Sequence, residues 1–362
     1  MIKLLIVDDS ALMRRQLKTI FQAEGDFQIE VARNGEEAVE LNNRFAPDVI
    51  TLDINMPQMD GLTALSLLMA ERPVPVVMVS SLTEKGALST FEALNLGAVD
   101  YIPKPDGTIS LSIAEIEAEI VAKVRVAAGA HLKKSRGLAA RIRGDLSAAN
   151  ATKPAAPPQR PTLSVDQSAS RDGLVIIGVS TGGPRTLEEI LPRLPADFPW
   201  PVLVAQHMPP SFTRPFAERM NALCALEVYE LRRPMPLEPG QVCIGRGGAD
   251  MVVMRRANRL MVSSRPESGD HLWHPSVELL GESVLQHCDP QRIIAVMLTG
   301  MGYDGAESFA ALHRRGARTI AESKQSAVVF GMPAELIDRG GATKVLSMER
   351  IAEQIIQWVN AG

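Results

Sequence analysis

Short apolar runs and amphipathic stretches take strict turns along the first part of this chain. The apolar runs are Lys3–Val7, Gln28–Ala32, Val49–Leu52, Val76–Val79 and Val99–Ile102. Helical patterns lie between them, as at Ala11–Phe21 and Gly61–Ala70, and Glu115–Val126 supplies a fifth. Strict alternation admits few folds. Parallel neighbours need a crossover between them, and the crossover helices cover both faces of the sheet. A five-stranded parallel α/β sheet is the expectation.

The pattern breaks between about Arg143 and Asp172, where Pro154, Pro157, Pro158 and Pro161 sit among Ala, Ser, Gln and Asn. With no apolar period to bury, this stretch reads as a linker. The expected division is residues 1–130, a linker over 131–171, and a second domain over 172–362. That domain again shows buried parallel strands at Leu174–Val179, Val202–Ala205, Ile293–Leu298 and Thr319–Ala321. Gln241–Ile244, Met251–Met254 and Leu260–Val262 read as an antiparallel hairpin appended to a doubly wound sheet.

Composition narrows the function classes. A net charge of -4 gives no basic field for nucleic acid or an anionic membrane. Three scattered cysteines fit reduced thiols in a cytoplasm better than a disulfide framework or a zinc site. Met1–Leu5 runs directly towards Asp8 and Asp9, which predicts no secretory leader, and no apolar run reaches the length of a membrane span.

In a parallel sheet, ligands gather beyond the carboxyl ends of the strands. In the first domain Asp8 and Asp9 follow the first run, Asp53 ends the third, Ser80 the fourth and Lys104 the fifth. Three clustered carboxylates call for a hard divalent cation, and Mg²⁺ with oxygen ligands is the natural choice. A carboxylate beside it can form an aspartyl phosphate. Lys104 would neutralise one phosphoryl oxygen and the Ser80 hydroxyl would bond another.

In the second domain Gly178-Val179-Ser180-Thr181-Gly182-Gly183-Pro184 closes an apolar strand with a glycine turn. That pattern fits a serine on a nucleophile elbow. It also fits a phosphate-binding loop, although no Gly-Lys-Ser/Thr follows. Of the six histidines, His207 ends a strand in Gln206-His207-Met208-Pro209. His131 lies near the linker, His287 and His313 fall in helical patterns, and His271 and His274 sit on a loop within possible reach of the cleft. Asp304 follows the strand Ile293–Leu298. Ser180, His207 and Asp304 therefore converge on one sheet edge. The chain order Ser, His, Asp differs from the α/β-hydrolase order.

Two resemblances gather these motifs. Val7-Asp8-Asp9-Ser10, Met56–Gly61 and Tyr101-Ile102-Pro103-Lys104-Pro105 resemble the response-regulator receiver family, a flavodoxin-like fold. The resemblance implies Asp53 as phospho-acceptor, Asp8, Asp9 and the Asn55 carbonyl as further metal ligands, Ser80 and Tyr101 as switch residues, and a cis-proline turn at Lys104-Pro105. Gly178–Pro184, Gln206–Pro209, Leu298–Gly305 and Val328–Pro333 resemble the CheB family of chemotaxis methylesterases. By that likeness Ser180 is the nucleophile, His207 the base and Asp304 its orienting partner, with backbone amides near Thr181 and Met301 as oxyanion donors. The implied substrates are methyl-esterified glutamates, and certain glutamines, on chemoreceptors (methyl-accepting chemotaxis proteins). The implied activator is a CheA-type histidine kinase, whose phosphoryl transfer would relieve a block of the cleft by the receiver. The family often carries Glu where Asn55 stands and Arg where His274 stands. The rival of a different class is a response regulator with a binding output; a non-flagellar chemosensory pathway is the rival setting.

Overall fold

The computed structural model describes residues 1–81, 83–104, 109–130, 173–257 and 259–361, and side chains among these except residues 84 and 109–116. The chain folds as two compact units, Met1–Pro158 and Gln159–Gly362. The expected linker, His131 and the Lys104-Pro105 peptide bond fall on or beside residues outside that description.

The first unit alternates as β1 (Ile2–Val7), α1 (Ala11–Ala23), β2 (Phe27–Ala32), α2 (Gly35–Phe45), β3 (Val49–Asp53), α3 (Gly61–Glu71), β4 (Val76–Ser81), α4 (Glu84–Leu96), β5 (Asp100–Lys104) and α5 (Ile109–Ala128). The sheet order is β2-β1-β3-β4-β5, parallel throughout. β3 is buried along its whole length, Thr51 included, which explains why its run before Asp53 shows no polar alternation. Side chains set the helix starts: Ser10, Asn34 and Asp60 each accept an amide of the first turn of α1, α2 and α3. The chain leaves β1 for β2 on one side and β3 on the other. The switch point, where a ligand crevice opens, therefore lies between Asp8 and Asp53.

The second unit comprises β6 (Leu174–Val179), α6 (Gly183–Ile190), β7 (Val202–Gln206), α7 (Pro210–Leu223), β8 (Glu227–Glu230), β9 (Met235–Pro236), β10 (Gln241–Ile244), β11 (Asp250–Arg256) and β12 (Arg259–Arg265). It continues with α8 (Val277–His287), β13 (Ile293–Met297), α9 (Ala306–Arg314), β14 (Arg318–Glu322), α10 (Met332–Asp338), β15 (Lys344–Leu346) and α11 (Met348–Asn360). Seven parallel strands run in the order β15-β14-β13-β6-β7-β10-β8. β6 and β13 lie side by side with different crossover directions, which places this unit's switch point between them. Apolar side chains from both the sheet and the helices, among them Ile176, Leu203, Leu280 and Phe309, are wholly buried. Each stabilises the unit by about 1.5–3 kcal/mol over its exposed state.

One expectation needs correction. Gln241–Ile244 is no part of the hairpin: β10 enters the parallel sheet between β7 and β8. The antiparallel pair is β11 with β12, and β12 pairs β9 to make a separate three-stranded sheet. An isolated apolar run reads alike in either orientation, and one partner of β10, β7, lies about forty residues earlier in the chain. β8 and β15 escape a search for apolar runs because both carry charged residues and exposed positions. Among the described residues, no helix is long and apolar enough to cross a membrane.

Candidate functional sites

At the switch point of the first unit, ligand oxygens of Asp8, Asp9 and Asp53 all lie within 4.8 Å of one another. Asp8 and Asp53 are buried and Asp9 is exposed. Lys104 Nζ reaches in from the end of β5, 2.8 Å from Asp53 Oδ2 and 3.1 Å from Asp8 Oδ2. The Ser10 amide donates to Asp8 Oδ1 and the Asn55 amide to Asp53 Oδ1, at 2.8 and 3.3 Å. Burial pushes the Asp53 carboxyl up and the Asp8 charge adds to it; Lys104 opposes both, and the balance stands at about 6. Burial alone would lower Lys104, but the two facing carboxylates outweigh it and hold the ammonium protonated. One lysine against three carboxylates leaves an acidic excess that suits a hard divalent cation.

The expected switch residues are placed less directly. Ser80 is buried, and its hydroxyl donates to the Gly86 carbonyl at 3.2 Å. Tyr101 is buried, with Lys123 Nζ 5.2 Å from its ring centroid and bonded to its backbone carbonyl. Burial first, and the nearby Asp100 and Glu119 charges next, push the Tyr101 phenol well above its ordinary value.

In the second unit, Ser180 follows β6 and His207 follows β7, and the strand register sets Val179 opposite Gln206. The turn after Ser180 needs Gly182 in the left-handed region (φ +78°), where a Cβ would also come within 2.6 Å of Val328. Gln206, buried, ties the two strand ends together: its Nε2 donates to the carbonyls of Ser180 and His207, both at 3.0 Å. The Ser180 amide donates to Thr299 O at 2.9 Å. A Cβ on Gly300 would come within 2.8 Å of Ser180 Cβ, so the loop after β13 passes directly beside the serine.

That loop delivers Asp304, which is buried. Its Oδ2 accepts His207 Nε2 at 2.8 Å and the Val277 amide at 2.6 Å. Its Oδ1 accepts the Ser276 hydroxyl and the Glu278 amide, both at 3.0 Å. Val277 and Glu278 open α8, so Asp304 also satisfies amides that a helix start leaves unpaired and meets the positive end of its dipole. Burial works to raise Asp304, but the bond and charge of His207 and the two amides prevail and hold it below the usual carboxylate value. With Nε2 committed, His207 Nδ1 is buried and has no hydrogen-bond partner among the described residues. The structure thus joins His207 to Asp304 and sets Ser180 on the neighbouring strand end, with its hydroxyl not yet bonded to the ring. Thr181 is buried beside Ser180, and its carbonyl accepts the Thr299 hydroxyl at 2.8 Å. Met301 is half-buried on the Asp304 loop.

Of the loop histidines, His274 does not enter this cluster. Its Nδ1 bonds Asp250 Oδ1 at 2.9 Å. Gln206, Ser276 and Trp273 are site neighbours that motif reading passed over. Gln206 carried a signal, since it stands at a strand end beside His207. Ser276 and Trp273 carried none, because only the folded loop brings them to Asp304 and His207.

An acidic strand-end cluster on a five-stranded flavodoxin-like sheet defines a receiver. A serine, a histidine and an aspartate at the strand ends of a doubly wound sheet define a hydrolase unit. Residues 175–355 match the CheB methylesterase family, and residues 4–114 match the response regulator receiver domain. The chain is 58% identical to protein-glutamate methylesterase/protein-glutamine glutaminase 3 of Rhodospirillum rubrum, over 99% of this chain and 97% of that protein. It is 50% identical to protein-glutamate methylesterase/protein-glutamine glutaminase 2 of Rhodopseudomonas palustris, over 100% and 99%. The CheB methylesterase catalytic domain of Thermotoga maritima, 35% identical, superposes with a TM-score of 0.50 over 51% of this chain and 98% of that one. The chain belongs to the CheB methylesterase family, with a response regulator receiver domain preceding the catalytic one.

Proposed function

We propose that this chain is a cytoplasmic, receiver-gated protein-glutamate methylesterase and protein-glutamine glutaminase acting on methyl-accepting chemoreceptors. In this reading the receiver spans residues 1–130, a linker 131–171 and the esterase 172–362. The carrying observation is the His207–Asp304 pair, whose second ring nitrogen is left unbonded one strand from Ser180.

Ser180 Oγ attacks the ester carbonyl carbon, and its proton passes to His207 Nδ1. Asp304 remains ionised and steadies the imidazolium through Nε2. Backbone amides at Thr181 and Met301 receive the charge that builds on the carbonyl oxygen. His207 returns the proton to the departing methoxide, which leaves as methanol. Water, deprotonated by the same nitrogen, then cleaves the acyl-serine and frees the glutamate. With a glutamine substrate the leaving group is ammonia.

Asp53 is the phospho-acceptor for a CheA-type histidine kinase. Asp8, Asp9, Asp53 and the Asn55 carbonyl would hold Mg²⁺, which when bound offsets phosphoryl charge. Lys104 neutralises a phosphoryl oxygen, and Ser80 with Tyr101 registers the modification. The cleft therefore opens to substrate when Asp53 carries the phosphoryl group.

Ser180→Ala tests the reading. Methanol release from methylated receptor membranes is expected to fall by about 10³-fold or more while the fold persists. Retention of a tenth of the activity would remove Ser180 as nucleophile. A chain starting near Gly173 is expected to outpace the unphosphorylated full chain and to ignore a small phosphodonor.

A further inference from the structure

His207 has a second neighbour besides the carboxylate. The Trp273 indole lies parallel to the imidazole, with centroids 5.7 Å apart and planes 7° from parallel. Tyr303, from the loop that carries Asp304, meets Trp273 edge-on at 5.4 Å and 82°. Gly302 between them has φ +84°, and a Cβ there would stand 2.8 Å from the indole, so the loop can approach the ring only with glycine at that position.

The segment that presents the indole is pinned on both sides. Asp250 is buried at the start of β11. It accepts the Ser268 amide at 3.0 Å, His274 Nδ1 at 2.9 Å and the Ser276 amide at 2.8 Å. Ser276 then bonds Asp304. One carboxylate thus clamps the segment five residues before Trp273 and three after it, and the clamp touches the aspartate that holds His207. Leu272 beside it is 75% exposed, so this segment is fixed without being buried as a whole.

We infer that Trp273 is a positioning residue for His207, an inference that rests on His207 being the catalytic base. A ring stacked flat on the imidazole blocks rotation about its Cβ–Cγ bond. Rotation would exchange Nδ1 with Cδ2 and Nε2 with Cε1, and so put a carbon in place of the nitrogen that bonds Asp304. The face of an indole is also electron-rich and attracts the imidazolium that forms when Ser180 gives up its proton. The charged groups near the imidazole are Asp304, bonded to Nε2, and Glu278, whose amide bonds the same carboxylate. The stack therefore acts on the step in which charge appears on His207, and it belongs to kcat more than to substrate binding.

The test uses the full chain, a small phosphodonor with Mg²⁺, and methylated receptor membranes. Trp273→Leu keeps an apolar side chain but removes the aromatic face; Trp273→Phe keeps the face. The expected result is a kcat lowered about tenfold or more in Trp273→Leu with KM within about twofold, and a kcat within about threefold of wild type in Trp273→Phe. A kcat for Trp273→Leu within twofold of wild type would overturn the inference, and so would an equal loss in both variants. Should Trp273→Leu not fold, emission decides. The spectrum of Trp273, isolated from Trp200 and Trp358 by subtracting that of Trp273→Phe, is expected to change when His207→Ala removes the stacked ring. An unchanged Trp273 spectrum in His207→Ala would overturn the stack. High activity in His207→Ala would instead remove the catalytic reading itself, so the two failures are separable.

Discussion

Replacing Asp304 by asparagine probes the point where, on the proposed function, catalysis and folding share one side chain. The carboxylate accepts four donors, from His207, Ser276, Val277 and Glu278. Asparagine offers one oxygen and one NH₂. If the NH₂ faces His207, it also faces the Val277 amide, which loses its acceptor. The imidazole must then accept at Nε2, which puts its proton on Nδ1 and, in the proposed mechanism, removes the base. If the NH₂ faces Ser276, the Glu278 amide is orphaned instead and the tautomer survives, but no charge remains to support the imidazolium. Either orientation strands one buried N–H, at about 1–3 kcal/mol. It also removes a charge from the start of α8, worth about 0.3–1 kcal/mol. A fall in melting temperature of roughly 4–12 °C follows for a unit of this size. Methanol release should fall by between about 10² and 10⁴, the larger value with the wrong tautomer. Calorimetry and initial rates on receptor membranes measure the two effects. Activity within tenfold of wild type with an unchanged melting temperature would refute the shared-carboxylate argument.

Three further outcomes are expected. Glu278 is pushed up to about 7 by burial first, with Asp304 and Glu282 adding to it. Its folded state prefers the neutral form, so it costs nothing below the unfolded carboxyl range near 4.5 and its full penalty above about 7. Glu278→Gln should therefore raise the unfolding free energy by about 1–2 kcal/mol at pH 8, allowing for partial solvent contact, and by nothing at pH 4; equal gains at both pH values in denaturant titrations would contradict this. Gly183→Ala would place a Cβ 2.0 Å from Gln206 Oε1 and 2.6 Å from Val179 Cγ2. It should cost about 1–3 kcal/mol and, by displacing the amide that links Ser180 to His207, reduce activity as well; a variant as stable and active as wild type would show that Gln206 is not needed there. Asp53→Asn should abolish acid-stable, base-labile labelling by a phosphodonor and the accompanying acceleration of the esterase, and persistent labelling would move the acceptor elsewhere.

Much of this molecule is legible in its chain because the rules involved are local. Alternation of apolar runs with helical periods yields two parallel sheets, and the candidate site residues fall at the carboxyl ends of their strands. Asp8, Asp53, Lys104, Ser180 and His207 are all found by that rule, since each directly follows or ends its strand. Contacts between residues far apart in sequence are another matter. β10 lies in the main sheet between β7 and β8, a parallel pairing that no feature of Gln241–Ile244 announces. Asp304 reaches His207 across 97 residues, and the same carboxylate starts α8. Which imidazole nitrogen it takes, and therefore which one is left for Ser180, depends on a ring orientation that no sequence period encodes. The stack of Trp273 on that ring has the same origin: it depends on Asp250 holding a loop from eighteen residues away or more. Residue types at strand ends are written into the chain, whereas the direction each side chain faces is decided by the packing that surrounds it.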